Sequence, residues 1–284
     1  MIRSLPNSRR YLYSYKFYMG LYFAFLFAPL VVTCVLAFND SQFPALPWKG
    51  FTLEWFTGDL SHRVGIFHDR MNLESIWVSA QVAFFVTILS VTVGTCAAFL
   101  FEQEEFPFKA ALYFLMLAPL VIPGVILGIS ILLFSNTLGL YFETRWGVDV
   151  PLFRPGFWLV VLGQFSFIAT LVTLVVSARL RKFDRTLEEA ALNLGANRLE
   201  VIWHITLKFL RPAIVGAAAV AFLMSFENFN TTLFLTGSET TLPINLYLQV
   251  RDGSTPVINA ISFLLIIGTS LAAIVNLYFS RKQD

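Results

Sequence analysis

The chain has 284 residues, 57% of them hydrophobic and only 13% charged, with thirty Phe and a formal net charge of +2. A soluble domain carries about 25% charged residues, so this chain lacks the polar surface needed to cover a globule in water. A lipid-embedded protein is expected, with no nucleic acid among its partners.

Crossing a hydrocarbon core takes about 20 apolar residues. Six runs reach that length: Phe17–Phe38, Ile76–Phe101, Ala110–Phe134, Phe157–Ala178, Ala213–Thr236 and Val257–Phe279. Backbone groups in lipid must be satisfied within their own segment, so these runs are predicted helices, and the short alternating runs of barrel strands are absent. The fold class is therefore all-α and polytopic, with six transmembrane helices in one domain over 17–279. Tails of 1–16 and 280–284 flank it. The first run is longer than a signal-peptide core of about 7–15 residues and is expected to stay in the membrane. Fourteen Lys and Arg fall on the side of the N-terminus and six on the other, which predicts cytoplasmic termini.

Cys34 and Cys96 lie toward opposite ends of the first two spans. A disulfide needs Cα atoms within about 7 Å, so they are expected to stay apart, as small buried apolar residues. The first outer loop, Asn39 to Ser75, is the longest. Its stretch LPWKGFTLEWF alternates enough to predict structured elements on the membrane face. Trp48 and Trp55 there suit either contact with an outer partner or gate, or anchoring at the lipid interface. The other outer loops are read as about 135–156 and 237–256. The third span contains APLVIPGVILG. Pro119 and Pro123 remove backbone donors, and Gly124 and Gly128 permit close helix approach. Either a kinked helix in a packed bundle or a broken helix lining a route fits.

Between the fourth and fifth spans lies a polar connection, 179–212, on the predicted cytoplasmic side. Thr186 to Asn193 is rich in strong helix formers, and Gly195 stops that helix. A second helix starts near Arg198, with Leu199, Ile202, Trp203, Thr206, Leu207 and Leu210 recurring on one face. Glu200, His204, Lys208 and Arg211 line another. Such a pair either lies on lipid headgroups or docks a soluble partner.

The fifth span contains AFLMSFENFNTTLFLTG. Glu227 is the only charged residue deep inside any predicted span, and a charge there costs about 2.5–3.5 kcal/mol on insertion scales. It must face a polar interior, a partner or a solute. Asn228, Asn230, Thr231 and Thr232 accompany it. A hydrogen-bonded cluster between helices and a site on a solute path are the two readings; a neutral Gln would serve the first at less cost.

No G-x-x-x-x-G-K-[ST] phosphate loop, H-E-x-x-H or G-x-S-x-G motif is present. His62, His68 and His204 are scattered and read as surface histidines. The chain carries no visible catalytic chemistry, no metal site and no cofactor of its own.

Glu189-Ala190-Ala191, three residues, Gly195, nine residues, Ile205, one residue, Leu207 resembles the EAA loop of binding-protein-dependent ABC import permeases. The family pattern usually ends in Leu-Pro, whereas Lys208 follows Leu207 here and the next proline is Pro212. The segments SFENF, LFLTG and TTLPINLYLQVRDGSTPVINAISFLLI are similar to spermidine/putrescine-type permeases, including Pro256, Asn259 and Ala260. That type often carries two adjacent acidic residues; here the neutral Asn228 follows Glu227.

The resemblance implies a bacterial inner-membrane subunit. Its partners would be a second similar permease, two copies of a cytoplasmic ATPase that binds ATP and Mg, an extracytoplasmic solute-binding protein, and membrane lipid. It also implies that Glu189, Ala190, Ala191, Gly195, Ile205 and Leu207 couple to the ATPase, and that Glu227, Asn228 and Asn230 lie near the solute path. A polyamine is the expected solute; a monocation or zwitterion is the alternative. An ATP-independent carrier and a membrane enzyme are the rivals, and neither explains the EAA-like loop.

Overall fold

The computed structural model describes residues 9–44, 46–60, 63–253 and 255–280, with side chains described from 10 to 271. The order is α1 (Arg9–Leu36), α2 (Glu54–Thr57), strands β1 (Asp59–Leu60) and β2 (Arg63–Val64), and α3 (Arg70–Gln103). Then come α4 (Lys109–Val121), α5 (Gly124–Trp146), α6 (Phe157–Leu180), α7 (Thr186–Asn193) and α8 (Arg198–Val201). A π-turn, Ile202–Thr206, leads into α9 (Leu207–Phe226), followed by α10 (Thr232–Leu235), α11 (Leu242–Gly253) and α12 (Val257–Ser280). Five described helices are long and apolar enough to cross a membrane: Arg10–Leu36, α3, α5, α6 and the continuous Arg198–Phe226. Lys109–Val121 and Val257–Leu271 are apolar but shorter.

The chain divides into two compact units, one made of the residues up to Leu73 together with those from Leu248, the other of Glu74–Tyr247. In the first, α1 lies along α12, and none of its apolar window is buried. The loop after α1 is folded, as its alternation predicts. An antiparallel hairpin pairs Asp59 with Val64 and Leu60 with Arg63. Arg63 bridges Asp40 and Glu54, which raises its pKa, mainly through the Glu54 hydrogen bond. Trp55 is not an outward-facing aromatic: it is 4% exposed, its indole donates to the Asn39 carbonyl at 2.8 Å, and the Arg63 guanidinium stacks over it. Trp48 remains exposed.

In the second unit α6 is the central helix, with more than half of its apolar window buried. Val160, Ile168, Val172 and Val176 of α6 pack with Val82 and Val86 of α3, Leu210 and Ala217 of α9, and Leu235 of α10. The predicted third span is two helices. Pro123 lacks an N–H and biases Ile122 away from the helical region; Ile122 sits at φ −72, ψ 129 and helix α4 stops there. Pro119, one turn earlier, is carried inside α4.

Two expected loops prove partly helical. Helix α5 runs on to Trp146, twelve residues beyond the predicted end; within that extension Thr137 and Thr144 return their hydroxyls to carbonyls of their own helix, so these polar residues do not interrupt it. Helix α11 occupies most of the expected third outer loop. Cys34 and Cys96 are free, as expected, but Cys34 is half-buried and Cys96 exposed. Cys96 lies two residues from the buried Gly94 and Ala98, which places it on the opposite face of α3.

Candidate functional site: a capped helix pair and a broken membrane helix

Two places in the second unit bring the predicted site residues together. The first is the helix pair over 186–207. Asp184 accepts from the Thr186 hydroxyl at 2.8 Å and from its backbone N–H at 3.0 Å; the side-chain bond foremost holds this carboxyl below the usual carboxylate range. Helix α7 then covers the predicted residues, with Glu188 and Glu189 in its first turn, where negative charge suits the helix dipole. It ends in a two-bond cap: Gly195 N–H donates to Leu192 O at 3.0 Å and Ala196 N–H to Ala191 O at 3.1 Å. That geometry needs a left-handed residue, and Gly195 supplies φ +90.

Asn197 and Glu200 start the next helix with a reciprocal capping box, each bond 2.9 Å. The pair is closed by the Thr206 hydroxyl donating to Glu188. At its base Arg181 grips Glu102 bidentately at 2.8–3.0 Å, and Arg185 donates to the Glu102 backbone carbonyl at 2.7 Å. The Glu102 hydrogen bonds raise the Arg181 pKa.

Glu189 and Ala190 face outward, Gly195 sits exposed at the turn, and Ala191, Ile205 and Leu207 are half-buried. The predicted apolar stripe divides: Thr206 and Leu210 are buried, but Trp203 is 71% and Leu199 79% exposed. The intervening π-turn is the reason. Its wider turn rotates everything after it relative to what precedes it. Leu187, Leu192 and Leu194 add to the outward apolar surface, Leu194 at 89%.

The second place is the fifth span, which does not run through Glu227 as one helix. Helix α9 ends at Phe226, Glu227 is its C-cap, and the chain resumes as α10 only at Thr232. Glu227 and Asn230 are exposed, Asn228 is half-buried, and Thr231 and Thr232 are buried. No hydrogen-bond or ion-pair partner for the Glu227 carboxylate occurs among the described residues. Asn228 Oδ1 accepts from the Thr232 hydroxyl at 2.9 Å and its N–H at 3.3 Å, capping α10. The break in the third span meets this one. A Cβ on Gly128 would stand 2.7 Å from the Thr231 carbonyl oxygen, and one on Gly124 would stand 3.0 Å from Asn230 Cβ.

Sequence reasoning did not single out Gln164 of α6, which is fully buried at 0%. Its amide donates to the Thr232 hydroxyl at 2.8 Å and accepts from the Ser225 hydroxyl. The available signal was a lone amide in a span whose other polar side chains are all hydroxyls. His68 and His204 are exposed and His62 lies outside the described residues; among those described, no group of His, Cys, Asp and Glu is placed to hold a metal.

The same arrangement of helices occurs in a solved chain titled as a bacterial ABC transporter involved in the import of the acidic polysaccharide alginate. The TM-score is 0.66 at 13% identity, over 98% of this chain and 99% of that one, so the two chains share a fold. Residues 90–284 match the family of binding-protein-dependent transport system inner membrane components, and the chain belongs to that family. It is a transport subunit of the inner membrane and not an enzyme. It is 30% identical over 264 residues to the putrescine transport system permease protein PotI of Escherichia coli K12, covering 92% of this chain and 89% of that one. It is also 25% identical over 268 residues to the spermidine/putrescine transport system permease protein PotC of Haemophilus influenzae, covering 94% and 96%.

Proposed function

We propose that this chain forms half of the membrane path of an ATP-driven importer for a small cationic solute of the polyamine class. The observation that carries the reading is the Glu227 carboxylate, exposed at a helix break with no partner among the described residues. A charge in a span is tolerated where it faces water, a partner or a solute, and a cation is the solute such a group selects. The names of the two polyamine-transport relatives point the same way.

In this reading the chain crosses the membrane six times over 17–279, with both ends in the cytoplasm. It pairs with a second permease of similar fold, two ATPase subunits that bind ATP and Mg, and an extracytoplasmic solute-binding protein. The helix pair presents Glu189, Ala190 and its outward leucines to the ATPase, while Ala191, Ile205 and Leu207 tie the pair to the spans and Gly195 sets the angle between its helices. Closing of the ATPases is passed to α9, which ends at Phe226 with Glu227 as its C-cap. Glu227, Asn228 and Asn230 line the path. A single carboxylate followed by neutral Asn228 supplies less counter-charge than a polyamine with two to four positive charges invites, so a monocation or zwitterion is the second reading.

The test is ATP-dependent uptake of labelled putrescine and spermidine into cells expressing the whole system, with Glu227→Gln beside wild type. Uptake by wild type that collapses in the variant, at equal membrane abundance, is expected. Equal kinetics in the two would remove Glu227 from the path. Absence of polyamine uptake by wild type, with the ATPase copurifying, would discard the solute and keep the importer.

A further inference from the structure

We propose that Gln164 is a positioning residue for the solute path: its side chain, through Ser225 and Thr232, fixes the span of the 227–231 break and so holds Glu227 and Asn230 in place. The inference rests on the reading of that break as part of the path.

Gln164 is the one amide in α6, and it uses both ends of its side chain on the two ends of the break. Its oxygen accepts from Ser225, in the last turn of α9. Its nitrogen donates to Thr232, the first residue of α10. The Thr232 hydroxyl, having accepted that bond, donates its own proton onward to Asn228. Donor and acceptor roles are consistent along the whole chain of bonds, from Ser225 to Gln164 to Thr232 to Asn228. Ser225, Gln164 and Thr232 are all buried, so no water stands ready to replace a lost partner.

The α6 hydroxyls nearest Gln164 in the chain are spent elsewhere: Ser166, Thr170 and Thr173 donate to the carbonyls of Gly163, Met116 and Ala169. The clamp therefore needs a donor and an acceptor in one neutral side chain at this depth. Leucine offers neither, and a carboxylate offers no donor to Thr232 while adding a charge. Losing one partner of a buried pair leaves the other unsatisfied, which costs more than the bond contributes.

The experiment uses the whole importer in proteoliposomes and reads labelled putrescine taken up per ATP hydrolysed. The variants are Gln164→Leu, Thr232→Val, Thr232→Ser and Glu227→Gln. Gln164→Leu and Thr232→Val are each expected to lower the ratio about tenfold, the factor that one buried hydrogen bond commands. Thr232→Ser, which keeps the hydroxyl, is expected to stay within about twofold on the same ground.

A wild-type ratio in Gln164→Leu, or a Thr232→Ser variant as poor as Thr232→Val, would overturn the proposal. If Gln164→Leu does not assemble, the Thr232 pair decides alone. Loss of uptake in Glu227→Gln with none in Gln164→Leu refutes the clamp only; the reverse pattern refutes the path reading and the inference with it. A readout that needs no solute is the labelling of Asn230→Cys by a charged thiol reagent, in a background lacking Cys34 and Cys96. Gln164→Leu is expected to change that rate about tenfold, and an unchanged rate sinks the clamp.

Discussion

The chain interrupts helical structure at 194–197 and again at 227–231, and the two interruptions are held in opposite ways. At the first, the bonds that make the turn are local: Gly195 to Leu192, Ala196 to Ala191, and Asn197 with Glu200. At the second, local bonds remain, with Asn228 N–H donating to Ser225 O, Leu233 N–H to Phe229 O, and Asn228 Oδ1 accepting from Thr232, but they do not join the two helix ends. The decisive bonds come from Gln164, 61 residues from Ser225 and 68 from Thr232. The difference follows from solvent. A turn exposed to water can leave a backbone group to water and needs only a few cheap caps. A break among membrane helices lacks that fallback on its buried side, where Ser225 and Thr232 lie, and there it borrows a side chain from a neighbour. Charge is placed differently as well. Around the first interruption Glu200 and Glu188 are bonded to Asn197 and Thr206 while Glu189 faces outward, whereas at the second the one carboxylate, Glu227, is exposed and unpartnered among the described residues.

The contrast predicts where substitutions are felt. The largest effect is expected at Gly128→Val, whose Cβ would meet the Thr231 backbone oxygen at 2.7 Å and force the two breaks apart. Overpacking of this kind costs about 1–3 kcal/mol. A thermal melt of the purified chain should show a clear drop in Tm, with none for Gly216→Val, where a new Cβ meets nothing within 4 Å. Equal melts would mean that the breaks do not depend on each other.

Next comes Gly195→Ala. The left-handed conformation costs a residue with a Cβ about 1–2 kcal/mol, and the exposed turn has room for the added methyl, so Tm should fall less than for Gly128→Val. Coupling should suffer instead, with ATP hydrolysed at a normal rate and less solute delivered. Glu189→Arg should uncouple in the same way while leaving the spans folded. If both variants transport normally, the helix pair is not where the ATPase grips.

The smallest effect is expected at Asp184. Its folded pKa is depressed, so its contribution is present above the unfolded value and is lost as pH falls through the folded one. Protease nicking between 184 and 197 should hold steady from pH 7 to about the ordinary carboxylate value near 4 and rise only below it. A rise already at pH 5–6 would show that some other group secures the start of α7.

Much of the helix pair was legible because its determinants are neighbours in the chain. Thr186–Asn193 follows from its helix formers and from Gly195, while the Asn197 and Glu200 capping box at the start of the next helix, equally local, went unread. Also missed there, the π-turn at Ile202–Thr206 has no local signature; it swings Leu199 and Trp203 away from the core that Leu210 enters. In the third span Pro123 and Gly124 announced an interruption but not its form. In the fifth, hydrophobicity ran straight through residues 213–236 and hid the break.

The sequence by itself determined the membrane class, most of the long apolar helices and the family-like loop, because each depends on composition or on spacing within one segment. Only the tertiary structure decided that Glu227 caps a helix and does not sit within one, that Gly128 makes room for Thr231, and that Gln164 joins the two ends of a broken helix. Those outcomes depend on which side chain a distant helix presents, and at the buried Ser225, Gln164 and Thr232 a polar group must find its partner in the protein.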